Sequence, residues 1–347
     1  MNTPQEPGPV AFPAAVRHVR RARLLGTGVA VIDDVVTSRE MDARLGLDPG
    51  TVERRTGVVS RYVETRKNAA ELGAEAARRA LDAAGLGVED IDCLVGASGT
   101  PDQAMPCNAA LMRSALGHHH HRIPAFDVNA SCLSFLVALD TMSYLIEAGR
   151  HRRVLIVSSD IASCGIDWSH VEESGIFGDG AAAAVLGHAE DSGSSVIASA
   201  FTTFSEGAHL CEIKGGGSRY HPSRLTEAFT PLTMFQMDGA AVFRLVGGRL
   251  AAFTHDLVRA AGISLGDISV VVPHQASAHA LHYARRRLGL RADQLVDIYA
   301  DHGNQVSASL PSALHEAITA GRLRRGDRVL LLGSGAGVSL GGAVLCY

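Results

Sequence analysis

Three residues of this chain have the type and setting needed to work on an activated carbonyl. Cys132 lies in Phe126-Asp-Val-Asn-Ala-Ser-Cys-Leu-Ser-Phe135. An apolar strand ending at Val128, a turn of small residues and helical spacing from Leu133 to Glu147 put its thiol at a helix N-terminus. There the helix dipole and free N–H groups favour thiolate. A buried structural role is the commoner one for a lone cysteine. His274, in Val272-Pro-His-Gln-Ala276, follows a strand end, where α/β sites collect. Asn304, in Asp301-His-Gly-Asn-Gln-Val-Ser307, sits in a glycine loop ahead of another helix. Singly, His274 reads equally as a satisfied surface histidine and Asn304 as a turn residue. Together they supply a nucleophile and two polar donors.

The elements that must position them come in two copies. Gly85-Leu-Gly-Val-Glu-Asp-Ile-Asp-Cys-Leu-Val95 resembles Gly262-Ile-Ser-Leu-Gly-Asp-Ile-Ser-Val-Val-Val272. Ala148-Gly-Arg150 matches Ala320-Gly-Arg322, and Arg153-Val-Leu-Ile-Val157 matches Arg328-Val-Leu-Leu-Leu332, in the same order and at nearly the same offset. In each copy an alanine-rich helix (Ala69 to Ala84; Ala251 to Ala261) ends near a glycine suited to the left-handed cap. A strand, a loop, a helix and a second apolar strand follow. Continuous Val, Ile and Leu runs mark strands covered on both faces, predicting an α/β fold with mostly parallel sheets between helices. The expected organisation is a flexible tail over 1–20, a first module over 21–190, a connecting or lid region over 191–235 and a second module over 236–347.

Composition closes off other classes. The 347 residues carry 32 basic and 36 acidic side chains, a net charge of −4, which excludes a bulk nucleic-acid binder. At 5% aromatic residues there is no stacking platform for single strands. No apolar run reaches 18 residues and the start lacks a signal-peptide core, so a cytoplasmic, non-membrane protein is expected. Its six cysteines, without CxxC spacing, predict neither a zinc site nor a disulfide framework. The tetrad His118 to His121 reads as a surface loop, since consecutive side chains cannot all face one ion, and no metal site is expected. Phe204 to Thr233, glycine-rich and polar, reads as a lid or dimer contact.

The ordered set Arg55-Thr-Gly57, Asn129-Ala-Ser-Cys132, Phe177-Gly-Asp-Gly-Ala-Ala182, Val272-Pro-His-Gln-Ala276, His302-Gly-Asn304 and Gly335-Ala-Gly337 resembles the β-ketoacyl synthase III branch of the thiolase-like condensing enzymes, from about Leu24 to Tyr347. The resemblance implies a five-layered αβαβα duplication of two related modules and a homodimer. It implies that Cys132 holds an acyl group, with the backbone N–H groups of Cys132 and Ala336 as oxyanion hole. His274 and Asn304 then bind the carbonyl of a malonyl-type thioester during decarboxylation, and the enolate attacks the acyl-Cys132. No cofactor is required. Implied partners are acyl carrier protein and acyl thioesters, met by Arg55, Arg244, Arg286 and Arg287 on the carrier and phosphopantetheine side.

Departures from the family pattern bear on substrates. Thr51 stands where the family stacks an aromatic residue on adenine, and Val171, Glu172 and Glu173 replace a basic rim. Both count against coenzyme A as donor. Met105 aligns with a bulky residue that a dimer partner inserts into the acyl pocket, and methionine is pliable. Between Gly96 and Asn108 only Asp102 is acidic, which disfavours non-decarboxylating branches that use a glutamate there. The competing readings are acyl transfer to an alcohol or amine, and a non-catalytic partner subunit. Retention of Asn304 favours condensation over the first, and the intact Cys132, His274 and Asn304 argue against the second.

Overall fold

The computed structural model describes residues 16–190, 193–225 and 228–347; of the expected tail over 1–20, residues 1–15 lie outside them. Two five-stranded sheets organise the chain. One is ordered Ala22–Val29, Gly180–His188, Arg153–Asp160, Cys93–Gly96, Ala125–Asp127. The other is ordered Val16–Arg20, Ser195–Thr203, Ser339–Cys346, Arg328–Gly335, Val270–Pro273.

The two-residue period of the strands explains the layering. Val154 and Ile156 of the first sheet, and Val329 and Leu331 of the second, face one shared core built around the helices Ser134–Glu147 and Ser309–Thr319. The alternate residues Leu155 and Val157 face the helices Ala69–Ala84 and Asn108–Leu116 on one outside. Leu330 and Leu332 face Gly239–Ala260 and Ala278–Arg287 on the other. The result is five layers, helix–sheet–helix–sheet–helix, with every central strand buried on both faces, which is why these strands are apolar throughout.

The duplication is visible in pairing and caps. Cys93–Gly96 runs parallel to Arg153–Asp160, as Val270–Pro273 does to Arg328–Gly335. The partner strand Ala125–Asp127 has its counterpart in a single parallel bridge from Val271 to Leu295. Gly85 and Gly262 take φ of 66° and 75°, the left-handed caps that only glycine adopts without strain.

Three expectations need correction. The sheets are mixed rather than mostly parallel: Gly180–His188 and Ser339–Cys346 each run antiparallel to both neighbours. In the second copy the turn Ala336–Val338 is too short for a crossover, so the chain must double back. Residues 16–20 are not tail but an edge strand paired with Ser195–Thr203. It is fixed by Arg20, fully buried, whose guanidinium meets Asp140 and Ser143 and lies 4.2 Å over the Tyr144 ring. Finally, Ser195–Thr203 belongs to the second sheet, so only the stretch from about 204 to 237 is a connecting excursion. It is pinned by the two-residue hairpin Cys211–Glu212 with Gln236–Met237.

The alanine richness of Ala69–Ala84 has a packing cause. A Cβ on Gly28 would lie 2.4 Å from Ala80 N and 2.7 Å from Ala76 O, backbone atoms that cannot rotate away. Gly28→Ala should therefore lift this helix from the sheet and cost about 2 kcal/mol or more, the scale of core overpacking. Urea denaturation measures it; a loss under about 0.5 kcal/mol would show that the interface yields freely.

Candidate active site

Cys132 sits in a tight turn between the strand Ala125–Asp127 and the helix Ser134–Glu147. Ser131 adopts a left-handed φ of 54°. Side chains hold it there: Asn129 Oδ1 accepts from Ser131 N–H (2.9 Å), while Ser134 Oγ accepts from Ala130 N–H (2.9 Å) and donates to Ser131 O (2.6 Å). Backbone N–H groups of Cys132 and Ala336 reach the sulfur. They favour thiolate, as the helix position does, but burial outweighs them and pushes the thiol well above its ordinary range, with the Cys211 thiol and Asp160 acting in the same direction. At rest the group is a thiol, contrary to the thiolate expected from its helix end. Desolvation wins because Cys132, itself partly buried, adjoins the fully buried start of the helix, Leu133 to Leu136.

His274 directly follows the strand Val270–Pro273, with its N–H bonded to Leu332 O at 2.8 Å. Gln275 secures the bend: Nε2 donates to Pro273 O (2.9 Å) and Val296 O (3.2 Å), and Oε1 accepts from Ile298 N–H (3.0 Å). The imidazole is buried, its Nδ1 has no hydrogen-bond partner, and desolvation pushes its pKa down to about 4. It is neutral at physiological pH. A Cβ on Gly333 would lie 3.0 Å from both His274 Cβ and Leu133 Cδ2, and one on Gly335 would lie 3.5 Å from Cys132 N. The glycines of Arg328–Gly335 thus let the His274 bend and the Cys132 turn close on one strand end.

Asn304 follows the short helix Tyr299–His302. Its backbone forms a parallel bridge with Phe177: Asn304 N–H donates to Ile176 O (2.7 Å) and Gly178 N–H to Asn304 O (3.1 Å). This gives Phe177-Gly-Asp-Gly180 a physical role, because a Cβ on Gly178 would lie 2.2 Å from His302 O. Asn304 Oδ1 accepts from Val306 N–H (2.9 Å), so Nδ2 is the free end; it makes a long contact of 3.4 Å with Ala276 O. Ala276 is two residues from His274, and its N–H donates to His274 O (3.0 Å). The fold therefore gathers a partly buried thiol with two converging N–H groups, a neutral imidazole and a carboxamide N–H. That set can accept an acyl group and polarise a second carbonyl.

The remaining residues fall elsewhere. Met105 is 83% exposed. Asp102 is occupied by capping Ala69–Ala84, accepting from Ala69 and Ala70 N–H at 2.8 and 2.9 Å. Arg55 is exposed on the helix Thr51–Thr56, which Thr51 opens. Val171 is not a rim residue but packs with Val36, Met41 and Val52, because it starts a short helix over an apolar cluster. Glu173 lies 3.7 Å from His170, while the side chain of Glu172 lies outside the described residues. Arg244, Arg286 and Arg287 are exposed on the helices Gly239–Ala260 and Ala278–Arg287, which are joined by Tyr283 Oη to Gly247 O at 3.0 Å. His118 to His120 are exposed, and His121 bonds Ile91 O at 2.9 Å. Sequence reasoning missed Gln275, Asp160 and Cys211. Of these only Asp160 left a signal, as a charge ending a strand whose residues from Val154 to Ser159 are uncharged and buried.

Five layers, a duplicated half and a thiol–imidazole–carboxamide site define a condensing enzyme of the thiolase-like type. Residues 126–205 match the family model for 3-oxoacyl-[acyl-carrier-protein] synthase III, and residues 258–347 match the model for its C-terminal part. A β-ketoacyl-[acyl-carrier-protein] synthase III from Sphingopyxis alaskensis is 36% identical over 329 residues, covering 94% of this chain and 99% of that protein. The synthase III structure from Aquifex aeolicus superposes with a TM-score of 0.85 at 26% identity, covering 94% of this chain and all of that one. The priming β-ketosynthase of the R1128 polyketide pathway gives 0.83 at 27% identity, covering 98% of each. The chain belongs to the 3-oxoacyl-[acyl-carrier-protein] synthase III family. It is an acyltransferase that forms a carbon–carbon bond by Claisen condensation in fatty-acid or polyketide-like synthesis.

Burial of neutral His274 has a consequence for stability. Its folded pKa of about 4 lies below the unfolded 6.5, so between those values the unfolded chain binds the extra proton. Stability is complete above pH 6.5 and falls by about 1.4 kcal/mol per pH unit down to about pH 4 from this group alone. Denaturation at pH 7 and pH 5 should show a smaller pH-dependent loss in His274→Asn, by up to about 2 kcal/mol. An unchanged pH dependence would show that His274 protonates as readily folded as unfolded.

Proposed function

We propose that Cys132 carries the acyl group and that His274 and Asn304 drive decarboxylation of the extender. The observation that carries this is the convergence of the Cys132 and Ala336 N–H groups on the sulfur, beside His274, whose backbone carbonyl accepts from Ala276 N–H, and Asn304, whose Nδ2 meets Ala276 O. The sulfur attacks an acyl thioester, and its proton leaves with the departing thiol. The oxyanion that forms accepts from the two N–H groups that now face the sulfur. A malonyl-type thioester then places its carbonyl oxygen against His274 and Asn304 Nδ2. Its bond to the carboxylate breaks, CO₂ leaves, and the electron pair passes into the enolate that these donors stabilise. The enolate carbon attacks the Cys132 thioester, the C–S bond breaks, the β-ketoacyl product departs, and the Cys132 thiolate left behind takes a proton from solvent. A dry site strengthens each of these hydrogen bonds.

The carrier is an acyl carrier protein, as the names of the relatives say of those enzymes. Arg244, Arg286 and Arg287 offer an acidic carrier an exposed basic face, and Thr51 offers adenine no ring. The working unit is a homodimer: Met105 is exposed as a residue meant for a partner's pocket would be, and Ala125–Asp127 is an edge strand. Among the described residues no helix is long and apolar enough to cross a membrane, and we place the enzyme in the cytoplasm.

Separating the half-reactions tests the roles. His274→Ala and Asn304→Ala should each lower malonyl decarboxylation by about two orders of magnitude or more, the scale of a lost transition-state donor, while Cys132 still self-acylates. Intact mass and peptide mapping should place the acyl group on Cys132 and find none on a Cys132→Ala protein. Near-normal decarboxylation in both donor variants, or stoichiometric acylation without Cys132, would refute the assignment.

Donor preference tests the docking face. For one fixed acyl chain, kcat/KM should be higher on carrier protein than on coenzyme A. Arg286→Glu with Arg287→Glu should cut carrier-dependent turnover and its salt dependence, and leave a carrier-free minimal thioester nearly unaffected. Equal turnover with acyl-coenzyme A, insensitive to the reversal, would refute it.

A further inference from the structure

We infer that Asp160 is a positioning residue that locks the turn carrying Asn304 against the turn carrying Cys132. The inference rests on the roles proposed above for those two residues. Asp160 ends the strand Arg153–Asp160 with no exposed surface, and among the described residues no cation pairs with it. Instead five donors surround it. Oδ1 accepts from Gly99 N–H (2.8 Å), Thr100 N–H (2.7 Å) and Thr100 Oγ (2.8 Å). Oδ2 accepts from Ser307 N–H (3.1 Å) and Ser307 Oγ. Burial pushes this carboxyl up and the donors pull it down. Three of them are backbone N–H groups that cannot accept, so the ionised form satisfies the shell.

The donors come from opposite halves of the chain, and what they hold is strained. Ser307 follows Val306, whose φ of 52° is a true outlier for a β-branched residue and is strained. Val306 N–H is the group that fixes Asn304 Oδ1 and so aims Nδ2. On the other side, a Cβ on Gly99 would lie 2.8 Å from Val306 Cγ1, 3.5 Å from Asp160 Oδ1 and 3.6 Å from the carbonyl carbon of Ser131. The two left-handed residues, Ser131 and Val306, thus meet around one glycine whose N–H is held by Asp160. Without the carboxylate, Val306 is free to relax to negative φ, its N–H turns from Asn304, and the carboxamide loses its aim. Cys132 keeps its own supports, Asn129 and Ser134.

The test uses the full-length enzyme with Asp160→Asn, which keeps the shape but turns one acceptor into a donor facing donors. Malonyl decarboxylation should fall at least about tenfold, and Cys132 self-acylation several-fold less. A second readout reports the charge. The groups acting on the Cys132 sulfur are the Cys211 thiol, Asp160 and the N–H groups of Cys132 and Ala336, so removing the anion should move the pH profile of Cys132 alkylation by iodoacetamide to lower pH. Ser307→Ala, which keeps the charge, should lower decarboxylation without moving that profile, and it carries the test if Asp160→Asn does not fold. Wild-type decarboxylation in Asp160→Asn, or in Ser307→Ala, overturns the inference. So does an equal loss of both half-reactions with an unmoved alkylation profile, which is general loosening. Asn304→Ala run in parallel separates the two levels. If it decarboxylates normally, the proposed role of Asn304 has failed. If it is inactive while Asp160→Asn is normal, only the positioning role has failed.

Discussion

Two buried helices, Ser134–Glu147 and Ser309–Thr319, share one apolar layer between the two sheets, and the site exists because they do. Each is preceded by a turn that leaves the outer parallel strand of its own copy: Ala125–Asp127 in one, the Leu295 bridge in the other. Equivalent connections in both copies bring both turns to the same end of the layer. Cys132 and Asn304 are therefore related by the duplication, 172 positions apart in sequence but adjacent to the same loops. His274 joins them from the neighbouring strand end.

Such a position is largely shielded from water, His274 and Asn304 being buried and Cys132 partly so, and that shielding sets the chemical state of the thiol and the imidazole. It holds the thiol protonated and the imidazole neutral, against the helix end and the two N–H groups that favour thiolate. A neutral imidazole suits a site that must host an enolate, since it can donate a hydrogen bond without a fixed cation that would trap the anion. Hydrogen bonds made here need no solvent reorganisation, so the site can favour the charge that develops during reaction over the uncharged ground state.

Buried charge does the long-range fastening. Asp160 ties the two halves at the site, and Arg20 with Asp140 ties the first strand to a central helix. Arg61 is also fully buried, held by Ser38, Met41 and Ser174 O, and its pKa is pushed down to about 10 by burial. Each charge would be costly alone, and each is met by donors or acceptors from distant segments. That requirement makes the geometry unforgiving: a slipped strand would leave a bare charge in the core.

Local pattern carried most of the architecture. The repeat, the apolar strands, the helix Ala69–Ala84 and the strand-to-turn settings of Cys132, His274 and Asn304 are periodic or positional, and such features depend on neighbours a few residues away. What the sequence could not settle depends on partners far along the chain. The strand at Val16–Arg20 needs Asp140; the direction of Ser339–Cys346 needs its pairing with Ser195–Thr203; the burial of Val171 needs Val36 and Met41. The protonation of Cys132 was misjudged for the same reason, because a helix dipole is local whereas desolvation is the sum of everything packed around the sulfur. The aim of Asn304 likewise rests on Asp160, 144 residues upstream, through a hydrogen bond that no periodicity records. The chain alone pointed to Cys132, His274 and Asn304 as the residues proposed for the chemistry and to the elements on which they ride. Only the packed layers decided their charge states and orientations, since burial and hydrogen-bond direction are properties of the space between elements rather than of any one of them.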